Sequence, residues 1–118
     1  MAYELLHDRE YYEVALKCGV TTFAYGDFRK NVTQCIGLSG CGELFIELHR
    51  VSKDHSWLQN ANAFAEMAFG YRITLPEGDA WPIDEPGLYS ADFMYGASGV
   101  GHYFLRLWKP GEIPMPFM

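Results

Sequence analysis

Basic residues are scarce in this chain. Nine Lys and Arg stand against fifteen Asp and Glu, for a net charge of −6 over 118 residues. The charges are spread rather than blocked. The basic stripe that nucleic-acid binders need is missing, and so is a patch for anionic lipid. Long hydrophobic runs are missing too. The longest uncharged apolar stretch, Phe93 to Leu105, is too short for a bilayer and carries Gly and His. Glu4, His7 and Asp8 come too early for a secretory signal. Cysteine is sparse and odd in number, with Cys18, Cys35 and Cys41 alone, which fits a reducing compartment better than a disulfide framework. A cytoplasmic location is therefore the expectation. There is no CxxC and no HExxH, and no convincing strict alternation marks a sheet.

What remains is a chain half hydrophobic and one-sixth aromatic, able to bury a core as a single domain or part of one. Asp8 opens a segment in which Tyr11, Val14, Ala15, Cys18 and Thr22 share a helical face, closed by Gly26 and Asp27. A second helix is expected from near Ser39, with Cys41, Leu44, Phe45, Leu48 and Val51 as its apolar stripe. Glu43, Glu47 and Arg50 fall off that stripe, and the two carboxylates, one turn apart, read as a solvated face. A third runs from near Ser56, through Trp57, Leu58, Ala61, Phe64, Ala65, Ala68 and Phe69, to Gly70. Tyr71 to Leu75 reads as a short extended stretch. Pro76, Gly78, Pro82, Pro86 and Gly87 then break the chain into a long loop reaching about Asp92. A fourth helix spans about Ser98 to Trp108, followed by an extended tail with Pro110, Pro114 and Pro116. The fold class is all-α.

The sequence also repeats. GLSGCGELFIEL, starting at Gly37, and GASGVGHYFLRL, starting at Gly96, share Gly-x-Ser-Gly-x-Gly-x-x-Phe-x-x-Leu at a constant offset of 59. DREYYEVA, from Asp8, and DHSWLQNA, from Asp54, share Asp-x-x-aromatic-x-x-x-Ala. Glycine-led and Asp-led helices alternate, which is the mark of a stacked helical repeat of about two to two and a half hairpins. Glycines at a helix mouth let neighbouring backbones approach closely. The other use of such a mouth, an anion cradle, lacks the preceding strand and the spacing of a dinucleotide or P-loop motif.

At these residues the chain resembles the LanC-like lanthionine cyclases. GLSGCGELFIELHRVSKDHSWLQNA resembles an inner helix of that family and the outer helix after it. DFMYGASGVGHYFLRLWKPGEIPMP resembles the closing helix and proline-rich end. The resemblance implies a partial α/α toroid of alternating inner and outer helices, with residues 1–118 forming a single fragment akin to the C-terminal third of a cyclase domain. It implies lanthipeptide chemistry, the addition of a peptide Cys thiol to dehydroalanine or dehydrobutyrine, and a lanthipeptide precursor as peptide partner. It also implies a catalytic zinc held by two cysteines and a histidine, the second Cys and the His lying in Cys-His-Gly. Cys35 and Gly37 match that motif, but Ile36 stands where the histidine belongs and has no lone pair to offer. The first zinc cysteine and the catalytic histidine of the family map upstream of these residues.

Metal binding therefore rests on Cys35, either as a remnant ligand or as an ordinary thiol. Zinc is not expected to bind this chain alone. Cys18 and Cys41 read as small buried residues. Cys35 and Cys41 are six residues apart, which separates them if both are helical. His49 and His55 are also six apart, across a turn, and His102 stands alone. His102 and Asp92 are the candidates for acid or base work. Assembly with a missing N-terminal part, or self-association, is expected of an open ring. Two other readings remain open. One is a non-catalytic peptide-binding or scaffolding module using Trp81, Tyr89, Phe93 and Tyr95. The other is a sugar-processing barrel with carboxylates among Glu43, Glu47, Glu85 and Asp92.

Overall fold

The structure, a computed structural model, describes residues 2–85 and 87–116; Pro86, one of the expected loop breakers, lies outside them. Five helices account for most of the described residues: α1 (Ala2–Leu6), α2 (Arg9–Tyr25), α3 (Leu38–Ser52), α4 (His55–Gly70) and α5 (Ala97–Trp108). A small antiparallel hairpin, β1 (Ile73–Leu75) and β2 (Gly78–Ala80), sits between α4 and α5. No described helix is long and apolar enough to cross a membrane.

The caps follow the sequence. Asp8 accepts a hydrogen bond from the Glu10 amide at 2.9 Å, and Asp54 accepts one from Ser56 at 2.9 Å. Gly26 ends α2 with φ +59°, a conformation that suits a residue without Cβ. The two glycine-led helices begin alike. Gly37 and Gly96 cap them with φ −121° and −122°, and each is crossed by the loop before it. A Cβ on Gly37 would lie 2.4 Å from the Asn31 carbonyl oxygen, and one on Gly96 would lie 2.2 Å from that of Ser90. The repeat in sequence is thus a repeat in backbone packing.

The core lies where α3, α4 and α5 meet. Phe45, Ile46, Leu48, Trp57, Phe64, Val100 and Tyr103 are buried there. The Phe45 and Phe64 rings meet edge to face at 5.0 Å. Tyr103 also donates to the Ala61 carbonyl at 2.5 Å. It rests against Gly42, where an added Cβ would stand 2.2 Å from its hydroxyl. Gly101, the equivalent of Gly42 in the second copy, has nothing within 4 Å of such a Cβ.

Three expectations need correction. The apolar face of α2 is real but mostly uncovered: Tyr11, Val14 and Cys18 are exposed, and Gly19 is the residue buried, against Leu48 and Trp57. Cys18 is therefore not a core thiol. The long loop is not all irregular. Arg72 and Thr74 of the hairpin reach Asp79, at 3.5 and 3.0 Å, and give a three-residue strand its partner. Glu43 and Glu47 are not on a solvated face. Glu43 and Glu47 are 6 % and 8 % exposed and both pair with Arg106 of α5, itself 2 % exposed. Arg106 also donates to the Ile113 carbonyl at 2.8 Å, fixing the tail. Arg50 bridges Glu47 and both carboxylate oxygens of Glu4, each at 2.7 Å, so one charged network joins α1, α3 and α5.

Burial pushes the Glu47 carboxyl up, but hydrogen bonds from Arg50 and Arg106 outweigh it and hold the group below its ordinary value. Arg50 likewise holds Glu4 down, from 4.5 to about 2. Carboxylates depressed in the folded state stabilise it above their unfolded pKa. That contribution is lost as pH falls from about 4.5 toward 2. The urea midpoint is expected to fall across that window. Arg106→Met leaves buried Glu43 without a cation and Glu47 with Arg50 alone, and is expected to cost about 3–5 kcal/mol at pH 7. In that variant the deficit should shrink on acidification, because protonation then relieves the unpaired charge. Gly42→Ala is expected to lose about 1–3 kcal/mol by overpacking. Gly101→Ala should instead gain about 0.5–1 kcal/mol in a helix interior. Denaturation curves of the two variants check the contrast.

Candidate functional site

The loops preceding the two glycine-led helices lie side by side. The Cys35 amide donates to the Met94 carbonyl at 3.0 Å, and these two residues occupy the same place in the two copies. Around this seam the backbone is tightly held. The Asn31 side chain accepts from the Thr33 amide at 2.8 Å and donates to Asp84 of the long loop. Gln34 donates to Glu43 at 3.1 Å and to the Gly99 carbonyl at 2.9 Å, tying the loop to the buried charges and to α5.

Cys35 is exposed on this frame. Interaction with its thiol raises the Tyr95 phenol above its ordinary value. Tyr95 is the second-copy counterpart of Ile36. The Asp92 carboxylate bonds with the Ser90 hydroxyl and accepts from the Tyr95 amide at 2.8 Å, and both interactions hold it below its ordinary value. Asp92 thus shapes the loop that carries Tyr95 and stays ionised, as an orienting group does.

Cys35 and Cys41, expected on different sides, line one cavity of about 340 Å³ with Gln34, Ile36, Gly40 and Leu44. The reason is that Cys35 precedes the helix, which begins only at Leu38. Burial pushes the Cys41 thiol up, partly opposed by the Arg29 guanidinium. A second cavity of about 210 Å³, walled by Tyr25, Phe28, Arg29 and Asn31, also touches Ile36 and Cys41. Ile36 therefore sits on the wall shared by the two.

His102 meets this seam only through Phe93 of the second loop. Its Nε2 lies 3.1 Å from the Pro114 carbonyl, and its ring packs on Phe93 at 5.5 Å. His49 and His55 do meet, with ring centroids 5.1 Å apart. Of the loop aromatics, Trp81 turns inward, donating to the Ala68 carbonyl at 2.9 Å and packing on Phe104. Phe93 is half-buried, while Tyr89 and Tyr95 are exposed. Glu43 and Glu47 are locked by Arg106, which removes them from any solvent-facing carboxylate pair. Sequence reasoning missed Tyr95 as the neighbour of Cys35; the offset of 59 that aligns it with Ile36 is the signal that points to it.

Helices led alternately by Asp caps and crowded glycines, with a cysteine at one glycine-led mouth, define an α-helical repeat protein with a thiol-bearing rim. The model of the lanthionine synthetase C-like protein family matches residues 1–118, and the chain belongs to that family. The family's zinc calls for two thiolates and an imidazole. The residues here do not fit it: Ile36 offers no donor beside Cys35, and no group of three or more His, Cys, Asp or Glu able to hold a metal occurs among the described residues.

Thiol accessibility gives a direct check. In the native protein, alkylation followed by peptide mass spectrometry is expected to label Cys18 and Cys35 first. Cys41, half-buried and with its thiol pushed up, should react on the order of tenfold more slowly. Tyr95→Phe should change the rate at Cys35 and leave that at Cys18 unchanged.

Proposed function

We propose that this chain is the closing portion of a LanC-like α/α toroid and serves lanthipeptide chemistry as a peptide-holding part that does not turn over alone. The carrying observation is the seam between the two repeat loops. It presents an exposed Cys35 close to Tyr95, and Cys35-Ile36-Gly37 resembles the family's Cys-His-Gly motif. The peptide in question carries a cysteine and a dehydroalanine or dehydrobutyrine. In the reaction the S–H adds across the C=C bond: sulfur bonds to the β-carbon, the π bond breaks, and a proton reaches the α-carbon. This chain's part is positional. The cavities flanking Ile36 hold apolar peptide side chains, and Asp92 fixes the loop that aims the Tyr95 hydroxyl.

Uncovered apolar edges support an incomplete ring. Leu5 and Leu6 stand exposed at the α1 end, and Leu105 and Trp108 on α5, all available to the remaining helices of such a ring or to a second copy. We place the protein in the cytoplasm, where its thiols stay reduced.

Fluorescence anisotropy with a synthetic peptide containing Cys and dehydroalanine tests the reading. Measurable binding is expected, weakened several-fold in Cys35→Ala and in Tyr95→Phe, with no cyclisation above the uncatalysed rate. Zinc content by elemental analysis should be the same in wild type and Cys35→Ala. Absence of affinity for the peptide would sink the proposal. A stoichiometric zinc lost specifically in Cys35→Ala would show that the thiol recruits a metal after all.

A further inference from the structure

The α3–α4 turn brings together two imidazoles that play no part at the seam. His49 lies in the last turn of α3 and is half-buried; His55 is the first residue of α4 and is exposed. Lys53, in the left-handed conformation at φ +61°, reverses the chain between them. Their ring centroids are 5.1 Å apart and the planes are inclined by 40°.

His49 Nδ1 sits 3.1 Å from the backbone carbonyl of Asp54. A carbonyl oxygen has no proton to give, so Nδ1 carries the hydrogen, and in the neutral ring Nε2 keeps its lone pair. That arrangement, one ring nitrogen donating to a carbonyl and the other free, is how metal-binding histidines are oriented. The spacing agrees. A metal–nitrogen bond of about 2.0–2.1 Å, plus about 1.1 Å to the ring centre, puts two centroids about 5 Å apart at a tetrahedral angle. The Asp54 carboxylate senses both rings electrostatically, so a negative charge lies beside the pair.

We propose that His49 and His55 form a two-imidazole site for a late first-row divalent ion such as Zn²⁺ or Ni²⁺, with water completing the coordination. The ion staples the end of α3 to the start of α4. The site is separate from the family's metal position and does not depend on the functional reading above.

Isothermal titration with Ni²⁺, repeated with Zn²⁺, tests it on wild type, His55→Gln, His49→Gln and Cys35→Ala. Binding near one ion per chain is expected in wild type and in Cys35→Ala, with a loss of at least tenfold in affinity in either histidine variant. The ion should also raise the melting temperature of wild type but not of His55→Gln. His55 is exposed, so that variant is expected to fold, and circular dichroism confirms it. Equal binding in His55→Gln, loss in Cys35→Ala instead, or no binding to wild type would each overturn the proposal.

Discussion

A guanidinium held between two carboxylates organises this molecule. Arg106 enters from α5, takes Glu43 and Glu47 of α3, and reaches the tail at Ile113. Arg50 carries the chain of charge on to Glu4 in α1. A buried ion pair is weak evidence of net stability, because desolvation offsets much of the attraction. Its value is in register. With Tyr103 seated on Gly42, the Arg106 fork meets both carboxylates at one rotation and one height of α5. Apolar contacts alone would tolerate sliding by a turn. The loops at the helix mouths inherit their positions from this lock through Gln34, which bonds both Glu43 and Gly99.

Much of this was legible in the residues. The Asp8 and Asp54 caps, the Gly26 stop and the glycine-led helix starts each rest on local chemistry, which a sequence carries within a few positions. The charged network was not. Helical periodicity assigns Glu43 and Glu47 outward because they are charged, and their partner is 63 and 59 residues away. The α2 face misled in the opposite sense. Its apolar period is correct, but periodicity says only that a face is fit to be covered, not that this chain covers it. The hairpin was half seen, since Gly78–Ala80 has no apolar pattern of its own and becomes a strand only beside Ile73–Leu75.

At the candidate site the legible part was chemical and the illegible part spatial. Cys35 and the donor missing at Ile36 stand out in the sequence. That Cys35 is exposed, that Cys41 shares its cavity and that Tyr95 interacts with it all depend on the loop preceding α3 lying against its own repeat. His102 and Asp92 attract notice by residue type alone. The first is occupied by a tail carbonyl and the second by its own loop, while the Tyr95 phenol interacts with the thiol.

The two helix-mouth loops share one backbone course while carrying different side chains: Asn31, Gln34, Cys35 and Ile36 in one, Ser90, Phe93, Met94 and Tyr95 in the other. Their shape is set by Gly37, Gly40, Gly96 and Gly99, whose missing Cβ atoms let the loop cross the helix start. Conformation and chemistry are thus encoded at different positions. Single substitutions at the rim can delete or install a donor without touching the residues that hold the loop.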